Sequence, residues 1–145
     1  MLVADPYLSA EQADRLGATR VDLDDLLAGS LVVSLHAPVL PETTGMIGAR
    51  ELALLPDGAL LVNTARAALV DEAALLAVLS TGRIDAALDV FDAEPLPVDH
   101  PLRALPNVLL TPHESAGTVQ SRRRPGRSWR RRSRGSCAVS RCVTR

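Results

Sequence analysis

With 145 residues and 47 % apolar side chains, the chain has material for one domain with a closed core. A net charge of −1 conceals two segments of opposite sign: residues 1–113 carry six arginines against 16 acids, and residues 114–145 carry ten arginines against one. The longest apolar run, Ala73–Leu79, is far too short for a membrane span, and Cys137 and Cys142 have no histidine near them to complete a zinc site. No metal is expected, and the absence of lysine argues against a nucleic-acid or nuclear address in the arginine-rich end.

Leu2-Val3-Ala4 is a strand that stops at Asp5-Pro6, and Asp5 interrupts any apolar leader. Ser9-Ala10-Glu11-Gln12 has the spacing of a capping box, opening a helix that closes at Gly17. A short strand near Thr19–Val21 and a helix from Asp22 to Ala28 follow. Leu31–Leu35 is a buried strand. Gly48–Leu55 is a helix stopped by Pro56-Asp57-Gly58, and Ala59–Asn63 is the next strand. Asp71 caps a helix over Glu72–Ser80 that ends at Gly82. Ile84–Val90 and Val108–Thr111 complete the series. Apolar strands separated by helices predict an α/β fold with a parallel sheet covered on both faces. Residues 1–118 are expected to form this domain, and residues 119–145 an arginine-rich disordered tail. The composition of Ser121–Arg145 gives it no apolar face with which to offset ordering entropy.

Three segments place a chemically capable side chain where a strand hands over to a loop: Asn63-Thr64-Ala65-Arg66, Asp89-Val90-Phe91-Asp92-Ala93-Glu94-Pro95 and Thr111-Pro112-His113. Their order and spacing resemble the C-terminal part of the nucleotide-binding domain of the D-isomer-specific 2-hydroxyacid dehydrogenases, from Leu2 to about His113. The resemblance implies a partial doubly wound, Rossmann-like sheet, NAD as cofactor and a small 2-keto or 2-hydroxy acid as substrate. It further implies homodimers among full-length relatives, while the missing leader and the short apolar runs lead one to expect a soluble, cytoplasmic protein with no membrane partner.

By this resemblance the catalytic residues are Arg66, Glu94 and His113. Arg66 would hold the substrate carboxylate, a task suited to a planar, permanently charged fork. His113 would move the proton, its ordinary pKa of about 6.5 lying near working pH. Glu94 would orient and charge the imidazole. Cofactor contacts would come from Asp5, Ala37, Pro38, Thr43, Thr64, Ala65, Arg66, Asp89 and His113. His36-Ala37-Pro38 and Glu42-Thr43-Thr44-Gly45 resemble the loop that passes along the cofactor, and Asp89 a residue beside the nicotinamide carboxamide. Asp5 has two readings: a ribose ligand that repels a 2′-phosphate and so selects NAD, or a turn aspartate ahead of Pro6. His36 and His100 are taken as structural or exposed.

The sequence departs from the family at both ends. No G-x-G-x-x-G occurs, and one strand alone precedes Asp5, so the first strand, the glycine turn and the substrate domain are expected to be missing. In the family order 3-2-1-4-5-6 that first strand is central. After His113 the expected glycine-rich stretch and long helix give way to the arginine-rich tail, and a frameshift near residue 114 would account for composition and lost periodicity together. An incomplete, weakly active or inactive fragment follows from this reading. Two alternatives stay open: a non-catalytic nucleotide sensor of the corepressor type, and a nucleic-acid binder acting through its tail by salt-sensitive electrostatics.

Overall fold

Turn residues cut the chain into short elements, and the computed structural model, which describes residues 1–117 and Val139–Ser140, shows where each one stops. Strand β1 (Leu2–Ala4) ends at Asp5-Pro6. Helix α1 (Ala10–Arg15) opens on the expected capping box: Ser9 Oγ accepts from the Gln12 N–H at 3.2 Å, and Gln12 Oε1 accepts from the Ser9 N–H at 2.9 Å. It leaves through Gly17, whose φ of 66° is left-handed and free of cost for glycine. After β2 (Thr19–Arg20), helix α2 (Leu23–Ala28) follows Asp22, whose side chain makes no cap hydrogen bond. Next come β3 (Val32–Leu35), α3 (Ala49–Leu54), β4 (Leu60–Asn63) and a 3-10 turn at Ala67–Leu69. Helix α4 (Glu72–Ser80) is capped by Asp71, which accepts from the Ala74 N–H at 2.9 Å. Strand β5 (Asp85–Leu88), a 3-10 turn at Pro101–Ala104 and β6 (Val108–Leu110) close the series.

Strands β3, β4, β5 and β6 form a parallel sheet in that order, with Val33, Leu61, Ala86 and Val108 in one register row and Leu35, Asn63, Leu88 and Leu110 in another. All four strands run out at the same edge, where a parallel α/β sheet places its site. Strand β1 belongs to a separate ladder, parallel to β2 on one side and antiparallel to β7 (Val139–Ser140) on the other. The result is an α/β, partial Rossmann-like fold. Among the described residues no parallel strand lies between β1 and β3, the central place in the doubly wound order. Val139–Ser140 fall in the tail expected to be disordered, and for these two residues the structure differs, because they pair with Val3 and Ala4. The rest of the tail lies outside the described residues.

One expectation needs correction: among the described residues the sheet is not covered equally on both faces. Along β3 and β4 buried residues alternate with part-buried ones. Val33, Leu35, Leu61, Ala86 and Leu88 enter the core with Leu27 of α2, Leu52 of α3 and Leu75 and Leu79 of α4. The opposite row of Ser34, Val62, Ala87 and Leu109 is part-buried until β6, where Leu109 is 65 % exposed. Apolar character on both sides of a strand records that both faces favour burial, not which one the present helices close.

Long-range polar contacts tie the helices to the sheet. Arg83 donates to the carbonyls of Leu52 and Leu55, orphan acceptors at the end of α3, and Asn107 Nδ2 donates to Leu79 O at 3.0 Å and Ile84 O at 2.7 Å. His100 has the structural role expected of it, accepting the Leu102 N–H on Nδ1 at 3.3 Å while Nε2 meets Glu72 Oε1 at 3.2 Å. Among the described residues no helix is long and apolar enough to cross a membrane, and no three metal-ligating side chains cluster.

Unequal covering makes a mutational contrast. Leu61→Ala, at a position with no exposure, should lower unfolding stability by about 2–5 kcal/mol, whereas Leu109→Ala should stay within about 0.5 kcal/mol. Urea unfolding of the two variants distinguishes one closed face from two.

Candidate active site

The loops that leave β4, β5 and β6 sit side by side because the strands are parallel and in register. The first is shaped by Asn63, itself 2 % exposed: its Oδ1 accepts from the Ala65 N–H at 3.1 Å and its Nδ2 donates to Arg66 O at 2.9 Å. This Asx-type turn lifts Thr64 and Arg66 to the surface. The Arg66 guanidinium donates to Ala65 O at 2.6 Å, a contact with its own neighbour that leaves most of the donor fork exposed. No hydrogen bond joins Arg66 to Glu94 or His113.

Glu94 and His113, 19 positions apart in sequence, meet directly: Glu94 Oε2 lies 2.8 Å from His113 Nδ1. Glu94 also accepts from the Phe91 N–H through Oε1 at 3.1 Å, so the carboxylate is anchored to its own loop while it holds the imidazole. The hydrogen bond from His113, supported by the Phe91 amide, holds the Glu94 carboxyl below its ordinary value. The pair lines a cavity of about 480 Å³ with Phe91, Leu96, Leu110 and Pro112 on its apolar wall. Apolar walls beside an exposed acid–base pair are the composition of a small-molecule site.

His113 adopts a φ of 55°. A left-handed conformation costs a residue with a Cβ roughly 1–2 kcal/mol, so the neighbourhood must hold it there. The holding group is Asp89, 1 % exposed at the end of β5. Its Oδ1 accepts from the Thr111 hydroxyl and from the Glu114 N–H at 2.9 Å, and its Oδ2 accepts from the Ser115 N–H at 3.0 Å. Burial alone would raise the Asp89 carboxyl, but hydrogen bonds from Ser115, Thr111 and Glu114 outweigh it and hold the group down at about 2. Thr111 stood in the third segment without a role of its own, and Ser115 had none. The usable signal was a pair of hydroxyl residues flanking a histidine opposite a strand-end aspartate.

A second cavity, about 270 Å³, opens at the ends of β1 and β3, and Asp5, Ala37 and Thr43 all line it. Of the two readings of Asp5, the turn is the one that has its hydrogen bond here. One oxygen accepts the Tyr7 N–H at 2.8 Å in a turn, and the residue, 4 % exposed, borders the cavity. The Thr43 hydroxyl donates to Pro38 O at 2.6 Å and accepts the Leu40 N–H at 2.8 Å, which folds the loop that carries Ala37 and Pro38 past the strand ends. Thus Asp5, Ala37 and Thr43 are brought to one place and Glu94 and His113 to another. Thr64, Ala65 and Arg66 lie on the β4 loop, and Asp89 lies beneath the His113 loop, lining neither cavity.

Similarity to known proteins follows the same boundaries. Residues 1–115 match the family described as D-isomer specific 2-hydroxyacid dehydrogenase, NAD binding domain. The D-3-phosphoglycerate dehydrogenase of Archaeoglobus fulgidus is 43 % identical over 122 residues, which are 83 % of this chain and 23 % of that protein. A D-isomer specific 2-hydroxyacid dehydrogenase from Xanthobacter autotrophicus, solved with NADPH, is 50 % identical with a TM-score of 0.64, covering 67 % of this chain and 42 % of its own. D-lactate dehydrogenase from Lactobacillus jensenii, solved with NAD+, is 35 % identical with a TM-score of 0.72, over 84 % of this chain and 40 % of its own. The chain spans less than half the length of each of these relatives. It belongs to the D-isomer specific 2-hydroxyacid dehydrogenase family, through that family's NAD binding domain.

Proposed function

We propose that this chain is the nucleotide-binding portion of a cytoplasmic enzyme that interconverts 2-hydroxy and 2-keto acids with NAD, using Arg66, Glu94 and His113. The observation that carries the reading is the 2.8 Å contact between Glu94 and His113, an acid–base pair assembled from two segments 19 positions apart. The cavity beside the pair gives a substrate room to reach it.

The residues fit both ends of the cofactor. Asp5 borders the second cavity, where a carboxylate would accept from ribose hydroxyls and repel a 2′-phosphate, which favours NAD. Ala37 and Thr43 would pass along the adenosine side, and Thr64 and Ala65 would border the other half. The donor cradle for the pyrophosphate is the part that this sequence does not supply, having no G-x-G-x-x-G. NAD, when bound, supplies the carrier that accepts or returns a hydride at the substrate's C2. His113 holds the proton that goes to, or comes from, the substrate oxygen. With Nδ1 engaged by Glu94, Nε2 is the nitrogen left for that transfer. Arg66, exposed and always charged, binds the substrate carboxylate and draws charge from the neighbouring carbonyl.

Calorimetric titration should find NAD binding weaker than that of a domain with the glycine turn, and weaker again, by about 10- to 100-fold, in Asp5→Ala. Micromolar binding that is indifferent to Asp5 would overturn the assignment. In assays of NADH oxidation with a panel of 2-keto acids, His113→Ala should lower turnover by roughly 10²–10⁴. Arg66→Ala should raise the keto-acid KM with NAD binding retained. The Glu94 carboxyl should titrate at higher pH in His113→Ala, observed by carbon NMR. Because the folded value is depressed, the pair's contribution to stability is present above the ordinary carboxylate range and fades as pH falls through the folded value.

A further inference from the structure

The loop that carries Glu94 is poorly equipped to hold its own shape. From Phe91 to Pro97 it contains neither helix nor strand, and Pro95 and Pro97 have no backbone N–H to donate. Leu96, 8 % exposed, is the one residue of this segment that is buried, so the carbonyls beside it need donors from elsewhere. Arg103, on the 3-10 turn at Pro101–Ala104, supplies them: Nε donates to Pro97 O at 2.8 Å and Nη2 to Leu96 O at 2.7 Å. The His100 N–H adds a weaker contact to Pro97 O at 3.2 Å. The turn is itself tied to α4, because His100 Nε2 meets Glu72 Oε1 at 3.2 Å. Among the described residues, the side chains that hydrogen-bond this segment from outside it are His113, at Glu94, and Arg103, at Leu96 and Pro97. Arg103 also borders the cavity beside the acid–base pair.

We propose that Arg103 is a positioning residue for Glu94: its fork fixes Leu96 and Pro97, and through them the carboxylate two residues earlier that holds His113. For its catalytic consequence the proposal rests on the dehydrogenase reading of the pair. Two donors on one rigid plane hold two successive carbonyls at once, and the single nitrogen of a lysine cannot reproduce that fork. Charge is not the means. The charged groups that act on the Glu94 carboxyl are His113, which lowers it, and Asp89, which raises it, and Arg103 is not among them.

The test uses the full chain without NAD and compares Arg103→Met, which keeps the stem and loses the donors, with Arg103→Lys. In Arg103→Met, hydrogen exchange at the Phe91 amide, which donates to Glu94, should accelerate about tenfold. The Glu94 carboxyl midpoint, followed by carbon NMR, should rise towards that of His113→Ala. Arg103→Lys should give a smaller rise of the same sign. A role confined to the 3-10 turn would speed exchange at the Arg103 and Leu105 amides and leave the Glu94 midpoint in place, which overturns the proposal. A rise in Arg103→Met that is absent in Arg103→Lys would be an effect of charge, and overturns it too. Should Arg103→Met fail to fold, Arg103→Lys alone decides, by the presence or absence of its rise. In NADH oxidation with keto acids, Arg103→Met should lower kcat about tenfold with the keto-acid KM little changed. A raised KM with an unmoved Glu94 midpoint would make Arg103 a substrate contact and overturn the positioning role. Absence of turnover in the unaltered chain, with the Glu94 effects intact, would support the positioning and count against the dehydrogenase reading alone.

Discussion

The meeting of Glu94 with His113 depends on the register of one parallel ladder. Because β4, β5 and β6 are hydrogen-bonded in step, their last residues, Asn63, Leu88 and Leu110, stand in one row. The loops that follow them are forced into contact whatever their sequences. A one-residue slip would turn every side chain to the opposite face and bury the wrong row. The buried row of Val33, Leu61 and Ala86 against the leucines of α2, α3 and α4 opposes that slip. Core packing thus fixes register, and register fixes which loops meet.

The polar groups at the strand ends and in the loops after them divide the work unequally. Asn63 and Asp89 are buried and spend their hydrogen bonds on backbone, shaping the β4 loop and the His113 loop. Arg66, Glu94 and His113 are the exposed products of that shaping. Burial and exposure alternate between the group that organises a loop and the group that the loop presents. An organising carboxylate at the root of a loop is costly to desolvate, and it is stable only because each of its oxygens finds donors nearby.

Much of this was legible in the sequence, for identifiable reasons. The capping box at Ser9–Gln12 and the cap at Asp71 are local, so spacing alone revealed them. The pairing of Glu94 with His113 is not local. It was legible only through the family resemblance that the Asp89–Pro95 and Thr111–His113 segments carry. What the sequence could not show was the partner choice of Asp89. A strand-end aspartate beside a cofactor and one beneath a loop have the same neighbours in sequence, and only the folded loop reveals that Thr111 and Ser115 turn towards it. Nor could periodicity tell which face of the sheet the helices close, since Val62 and Leu61 are equally apolar. His100 was set aside as structural or exposed only because no motif surrounds it, and the fold shows its place: it caps the 3-10 turn that begins at Pro101.

The gap between the two ladders has a mechanical consequence. Within a sheet, neighbouring strands are held about 4.8 Å apart by hydrogen bonds that resist stretching. The cavity lined by Asp5 and Ala37 draws one wall from the β1 ladder and the other from the β3 ladder, and no described backbone hydrogen bond spans them. Its width is set by the packing of β7 between β1 and β3 and by apolar contacts such as those of Leu2 and Ala4 with the core. Contacts of that kind are soft and non-directional, and they respond to temperature and hydrostatic pressure far more than a ladder does. The cavity beside Asp5 is therefore compliant, while the Glu94–His113 pair, carried by loops of one ladder, is held stiffly.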